Sequence, residues 1–253
     1  VNFSFAAANK ALAGLLPSAS PVTYGVLGFC CLLYGASFLW TVRLGGGGIS
    51  TGGMLGADIG GINSRVLLNL GASLPLGYMI QEPWRFVTAV FLHASFLHIA
   101  FNLWGLMILG PMVEELYGSA RYLFVFVATG AIGYVLSSVS GHFSVGASGA
   151  LLGLMGVALA VTWGKQHAGA QAIQSQMIFW LLITVVQGFL FPGIDNYAHF
   201  GGFATGFVLG KLMKDRPPVT PQEHRNAQIL GWVSVIVVIA CFAMMVKSIL
   251  QGT

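Results

Sequence analysis

The stretch SVGASGALLG, Ser144 to Gly153, sets a single hydroxyl, Ser148, between small residues at the start of an apolar run. Far along the chain NYAHFGGFATG, Asn196 to Gly206, carries His199, and HASFLHIAFN carries His93, His98 and Asn102. A serine becomes a useful nucleophile when a neighbouring base takes its proton, and histidine is the side chain suited to that task near neutral pH. His98 and Asn102 are four residues apart, so a helix presents both on one face, and both donate hydrogen bonds. A serine at a helix start also lies beside unpaired backbone N–H groups and the positive end of the helix dipole, which favour a developing negative charge. The pattern fits acyl transfer: Ser148 attacks, His199 accepts and returns the proton, and the helix start at Ser148 with His98 and Asn102 holds the tetrahedral oxygen. Any one of these residues alone reads more simply as interhelical hydrogen-bond glue worth about 1 kcal/mol. The case for a site rests on three helices carrying polar groups at matching depth.

The elements that would position them are membrane spans. The chain is 56% hydrophobic and 7% charged, against about 25% charged residues in an average soluble domain. Charge-free runs cover 22–42, 86–113, 122–164, 166–194, 196–210 and 226–246, and a spanning helix needs about 20 apolar residues. The run 122–164 holds two spans with SSVSGH, Ser137 to His142, as the break. An all-α polytopic membrane protein is therefore predicted, with spans near 22–42, 88–113, 121–138, 147–163, 176–192, 196–213 and 227–249. The organisation is an N-terminal segment 1–21, a six-helix core 22–213 containing a long loop 43–85, a linker 214–226 rich in proline and charge, and a seventh span 227–249. The first span follows a weakly basic lead without a convincing cleavage site and reads as retained. Lys10, Arg121, Lys165, Lys211, Lys214, Arg216 and Arg225 fall on one side, and Arg43, Arg65, Arg85 and Lys247 on the other; this excess predicts a cytoplasmic N-terminus. The net charge of +4 then follows from topology and calls for no nucleic-acid partner.

With that topology the second, fourth and sixth spans run in the same direction, which sets His93, His98 and Asn102, then Ser148, then His199 at similar depth. Gly202 and Gly206 lie three and seven residues beyond His199, and Gly149, Gly153 and Gly156 adjoin Ser148. Two glycine seams facing each other let helix axes approach closely enough for an imidazole to reach a serine oxygen. Cys30, Cys31 and Cys241 all fall within spans, without disulfide or zinc-ligand spacing. The GGGG of the long loop has no following GxxxxGK[ST], so a phosphate loop is not indicated. Val66 to Leu70 reads as an apolar piece dipping into the outer leaflet, and Trp84 and Arg85 as structural, Trp84 at the membrane interface. Asp195, four residues before His199, reads as a water-facing cap at the start of its span. Glu114 and Glu115 belong at the far end of the second span.

At these residues the chain resembles the rhomboid family of intramembrane serine proteases, from roughly Glu82 to Gly210. The nucleophile motif GxSGxxxG is similar to GASGALLG, Gly146 to Gly153; AHxGGxxxG is similar to AHFGGFATG, Ala198 to Gly206; and H-x-x-x-N is similar to HIAFN, with His93 upstream. EPWR, Glu82 to Arg85, resembles the family's ExWR signature, and VEELYGSAR, Val113 to Arg121, its turn after the second helix. The resemblance implies a rhomboid-like six-helix bundle plus one additional C-terminal helix, the 6+1 arrangement. It implies a catalytic dyad of Ser148 and His199 with no acidic third member, and an oxyanion site of His98, Asn102 and the Ser148 backbone. His93, Gly146, Gly149 and Gly202 support that site, and Glu114 falls at a position that supports the loop fold by hydrogen bonding. Some members carry a tyrosine one turn beyond the nucleophile, packed on the catalytic histidine; here Leu152 stands there.

The expected activity is hydrolysis of a peptide bond in the transmembrane segment of another membrane protein, with no metal and no cofactor. The partners are transmembrane substrates and the lipid bilayer. The expected location is a bacterial inner membrane, with a cavity opening to the outer face between the second, fourth and sixth spans; the aromatics Phe179, Trp180, Phe189 and Phe191 of the fifth span suit a movable gate. The alternative is an inactive rhomboid-like protein that binds transmembrane helices without cutting them, but inactive relatives usually lose the serine or the histidine. A channel or transporter would not require Ser148 between glycines, and its coupling carboxylates are missing from the spans.

Overall fold

The computed structural model describes residues 20–45, 49–50, 58–191 and 193–251. The expected N-terminal segment with Lys10 and the glycines 46–48 of the long loop lie outside these residues, except for the last two residues of that segment. The described residues are almost entirely helical or in the short connections between helices. Helix α1 spans Pro21–Arg43; a two-residue antiparallel pair, β1 (Ile49–Ser50) and β2 (Asp58–Ile59), follows, with Ile49 opposite Ile59. Three short helices complete the long loop: α2 (Ser64–Asn69), α3 (Leu76–Gln81) and α4 (Arg85–Thr88), the last running into a 3-10 turn at Ala89–Phe91. The remaining helices are α5 (Phe96–Tyr117), α6 (Ser119–Val139), α7 (Ser148–Thr162), α8 (Ala168–Leu190), α9 (Asn196–Leu212) and α10 (Pro221–Gln251).

Five of these, α1, α5, α6, α8 and α10, are long and apolar enough to cross a membrane, and α7 is a shorter apolar helix. The protein is an integral, multi-pass membrane bundle of six helices with α10 added. Helix α7 is the axis of the bundle: residues Gly149–Ala160 are all buried, and α5, α6, α8 and α9 surround it. Its 15 residues rise only about 22 Å at 1.5 Å each, short of the roughly 30 Å hydrocarbon core.

Helix boundaries follow local chemistry. The break after α6 is at SSVSGH: Ser140 Oγ donates to the Ser137 carbonyl at 2.6 Å and Gly141 takes φ +82°. The second span starts later than the charge-free run implied. Residues 85–91 form α4 and its 3-10 turn, Leu92 is extended, and α5 begins only after Ser95, whose Oγ accepts the His98 N–H at 3.3 Å. His93 therefore lies in the connection ahead of α5 rather than within the helix. Hydropathy cannot see this break because both sides of it are apolar; the signal was the N-capping serine. Helix α8 starts earlier than expected because His167 caps it, Nδ1 accepting the Ala170 N–H at 3.2 Å.

Three further expectations are corrected. Val66, Leu67 and Leu70 do not dip into lipid; they are buried with Leu92 and Met245 around Trp84, which is itself buried rather than interfacial, while Tyr78 and Ile80 of α3 carry the exposed apolar surface of the loop. Asp195 does not face water, being 8% exposed. The seventh span begins at Pro221, where the polar first turns are already helical.

Candidate active site

Ser148 is the first residue of α7, and no side chain caps that helix. Gly146, just ahead, has φ +130°, a conformation open to glycine. A Cβ at Gly146 would stand 2.6 Å from His98 Nε2, so the site needs glycine there for space as well. The loop is held from three directions. Ser144 pairs with Ser73 of the long loop in both directions, at 2.9 and 3.2 Å; Gly146 N–H donates to the Ala89 carbonyl at 2.9 Å; and Tyr134 O–H of α6 donates to the Gly146 carbonyl at 2.8 Å.

His199 lies in the first turn of α9, and its Nε2 is 2.8 Å from Ser148 Oγ, across 51 positions of sequence. Glycines make this approach possible. A Cβ on Gly202 would overlap the Gly149 carbonyl oxygen, and one on Gly206 that of Gly153. Helix α6 joins the seam, a Cβ on Gly133 standing 2.7 Å from the Ala198 carbonyl. His199 Nδ1 is buried without a hydrogen-bond partner. Among the described residues no aromatic ring stacks on His199, and Leu152, buried, lines the same cavity.

His98 projects from the first turn of α5, and its Nδ1 accepts the Ala94 N–H at 3.3 Å. That bond assigns the proton of the neutral ring to Nε2, the nitrogen turned toward Gly146. Asn102, 5% exposed, uses its Nδ2 on the His98 carbonyl at 2.8 Å, and its Oδ1 is buried without a partner. His93 is fully buried, edge-on to His98 with ring centroids 5.2 Å apart. It touches the ring of His98 rather than the nucleophile.

A cavity of about 310 Å³ joins these groups. Ser148, His199, His98, Asn102, Leu152 and Asp195 line it, together with Phe101, Trp104, Met155, Gln176, Trp180 and Gln187. Helix α8 forms a wall of it, which the expectation of a cavity among three spans had not included. Of the four aromatics named for a gate, Trp180 lines the cavity, edge-on to Trp104 at 5.3 Å, whereas Phe179 and Phe189 are exposed on the outside. Among the described residues no cluster of three His, Cys, Asp or Glu side chains could hold a metal.

The acidic residues have other places. Asp195 caps α9, Oδ1 accepting the N–H groups of Tyr197 and Ala198 at 3.0 Å each, and Ser137 Oγ donates to its Oδ2. Glu114 is buried and accepts from Val22 N, Thr23 N, Thr23 Oγ1 and Ser119 Oγ. Arg85 binds Glu82 at 2.6 Å and the carbonyls of Leu68 and Ala72, bracing the long loop.

A short, glycine-lined helix that presents serine to histidine inside a membrane bundle defines a class of intramembrane helical proteins with a part-buried Ser–His pair. Residues 81–216 match the family described as the Rhomboid domain, and the chain belongs to the rhomboid family. It is 36% identical over 178 residues to RHOMBOID-like protein 6, mitochondrial, of Arabidopsis thaliana, covering 68% of this chain and 57% of that protein. It is 32% identical over 216 residues to RHOMBOID-like protein 1 of the same plant, covering 76% and 55%. To rhomboid protease GluP of Bacillus subtilis it is 36% identical over 149 residues, covering 58% and 29%. The chain thus spans between under a third and somewhat over half of these relatives' own lengths. Plant and bacterial relatives alike do not single out the bacterial inner membrane expected above.

Proposed function

We propose that the protein is an intramembrane serine endopeptidase that cuts transmembrane segments of other membrane proteins. The observation that carries this reading is the 2.8 Å approach of His199 Nε2 to Ser148 Oγ at the end of a cavity. Ser148 Oγ attacks the scissile carbonyl carbon while its proton passes to Nε2. The tetrahedral oxygen is held by the free N–H groups at the start of α7 and the Nε2–H of His98, with Asn102 turning its amide from the His98 carbonyl toward it. The C–N bond breaks as His199 hands the proton to the leaving nitrogen, giving an acyl-enzyme. Water then attacks the ester with His199 as base, and Ser148 regains its proton. The scheme calls on no metal or cofactor.

Support for a cut below the lipid surface comes from the 15 residues of α7, which rise about 22 Å, less than the roughly 30 Å hydrocarbon core. The proposed orientation, N-terminus in the cytoplasm and Ser148 near the outer face, rests on the seven-to-four asymmetry of Lys and Arg. The reading is tested by incubating the purified chain in detergent with a model transmembrane substrate and a serine-directed phosphonate. Cleavage and labelling by the wild type, both lost in Ser148→Ala, are expected; unchanged cleavage in that variant would refute the assignment. Because a neutral imidazole is the base, the rate should fall as His199 protonates on acidification. Full activity kept at every acidic pH at which the protein stays folded would count against that role.

A further inference from the structure

We propose that Asp195 is the positioning residue of His199: its carboxylate pins the first turn of α9 to α6 and supplies the negative charge that the imidazolium formed in the reaction otherwise lacks. The inference rests on the protease reading above and concerns the same site. Its first ground is geometry. Oδ1 takes the N–H groups of Tyr197 and Ala198, Oδ2 takes the hydroxyl of Ser137 on α6, and the His199 N–H donates to the Asp195 carbonyl at 3.1 Å. Four contacts therefore meet within one helical turn of the imidazole. The glycine pair Gly133 and Gly201 brings α6 and α9 together at the same level.

The second ground is charge. Asp195 is 8% exposed, and among the described residues its carboxylate pairs with no Lys, Arg or His. A buried carboxylate without a counter-ion is costly; three hydrogen bonds and the N-terminal end of α9 offset only part of that cost. The group that becomes cationic nearby is His199, when it takes the proton of Ser148. Asp195 is not the hydrogen-bonded third member of a triad, because His199 Nδ1 has no partner. It acts through the helix start and through space. At the His199 end of the surrounding elements the other titratable groups are Tyr134 of α6, His142 of the α6–α7 connection, His93 and His98 at the start of α5, and Tyr197 on α9 itself; Glu114, Glu115 and Tyr117 of α5, Arg121 and Tyr122 of α6 and Lys211 of α9 sit at the opposite ends of their helices, and α7 and α8 contribute none. Asp195 is the anion of this set.

The test uses the full chain in detergent, with kcat, KM, the pH profile of kcat and thermal unfolding measured for the wild type, Ser148→Ala, Asp195→Asn and Ser137→Ala. Asp195→Asn keeps an oxygen for the two backbone N–H groups and removes the charge. It should unfold at the wild-type temperature and keep KM within about twofold, while kcat falls about tenfold, well short of the ~10⁴ lost with a hydrogen-bonded triad acid. Its acid limb should move to lower pH by about one unit, because an imidazole with no neighbouring anion stays neutral further into acid. Ser137→Ala keeps the charge and the cap but releases α9 from α6; its kcat should fall with the acid limb unmoved. An Asp195→Asn enzyme with wild-type kcat and limb overturns the role of the charge, and a Ser137→Ala enzyme with wild-type kcat overturns the role of the tie. If Asp195→Asn does not fold, Asp195→Ser, which keeps a capping oxygen and removes the charge, decides the role of the charge in its place. Wild-type protein that neither cleaves nor labels at Ser148 overturns the protease reading and this assignment with it, whereas normal wild-type cleavage with unaffected variants overturns this assignment only.

Discussion

The imidazole of His98 can serve as a donor only if its proton is held on one nitrogen, and the backbone arranges this. Ala94 N–H occupies Nδ1, which leaves Nε2–H directed at the loop before Ser148. Asn102 is less prepared, since its Nδ2 is engaged with its own helix and its Oδ1 is orphaned. An amide that must turn to reach a developing charge pays out its bond only as that charge forms. Replacing His98 or Asn102 with alanine should therefore lower kcat by about 10²–10³-fold each, with KM for a transmembrane substrate little changed. Steady-state kinetics on both variants checks this; a change confined to KM would assign these residues to substrate binding instead.

At the scale of elements, the site exists because two helices touch through their backbones. Between α7 and α9 the spacing is set by Gly149 and Gly156 on one side and Gly202 and Gly206 on the other, while the missing Cβ of Gly153 makes room for Thr129 of α6. Gly202→Ala should destabilise the protein by about 1–3 kcal/mol, as overpacked interfaces do, and should abolish most cleavage by moving His199 from Ser148. Gly28→Ala on α1, where a Cβ meets nothing within 4 Å, should leave both stability and cleavage at wild-type levels or slightly raise stability. Thermal unfolding in detergent, read beside activity, separates the two. Helix α8 contrasts with this seam. It buries only Ala170 and Met177, so its outward face meets lipid while its inner face walls the cavity.

At the scale of the whole molecule, buried Glu114 joins three helices: it sits on α5, accepts the first N–H groups of α1 and takes Ser119 at the start of α6. The N-cap residue of α1, Ser20, makes no side-chain capping bond, so Glu114 does the capping from a distance. Glu114→Ala strands these donors and should lower stability by about 2–4 kcal/mol, measured by thermal unfolding. The polar end of the bundle is tied more weakly. Lys165 holds Asp215 at 2.7 Å, and this bond keeps the Asp215 carboxyl below its ordinary range. A depressed acid contributes stability fully above its unfolded value, about pH 4, and loses it as pH falls through the lowered value. The linker should consequently resist proteolysis equally at pH 5 and pH 8 and loosen only in stronger acid. Asp215→Asn should change stability by less than about 1 kcal/mol, because exposed pairs are screened. Any loss of cleavage between pH 7 and pH 5 then does not come from the Lys165–Asp215 pair.

The residues carrying the chemistry were legible because polar side chains are rare in so apolar a chain, and the glycine stripes beside Ser148 and His199 announced that their helices come close. Spans were legible from charge-free length, and the break at Ser137 to His142 from its composition. What the sequence could not decide was the partner of each apolar or polar surface. Lipid tails are as apolar as leucine, so nothing in the order of residues tells Val66, buried under Trp84, from Ile80, exposed on the neighbouring helix. The same ambiguity hid the start of α5 at Ser95, the burial of Asp195 against Ser137 and the use of α8 as a cavity wall. Residue types determined which reactions the chain is equipped for; only the packed bundle decided which groups meet, because in a membrane both lipid and protein accept the same apolar faces and close contact alone separates them.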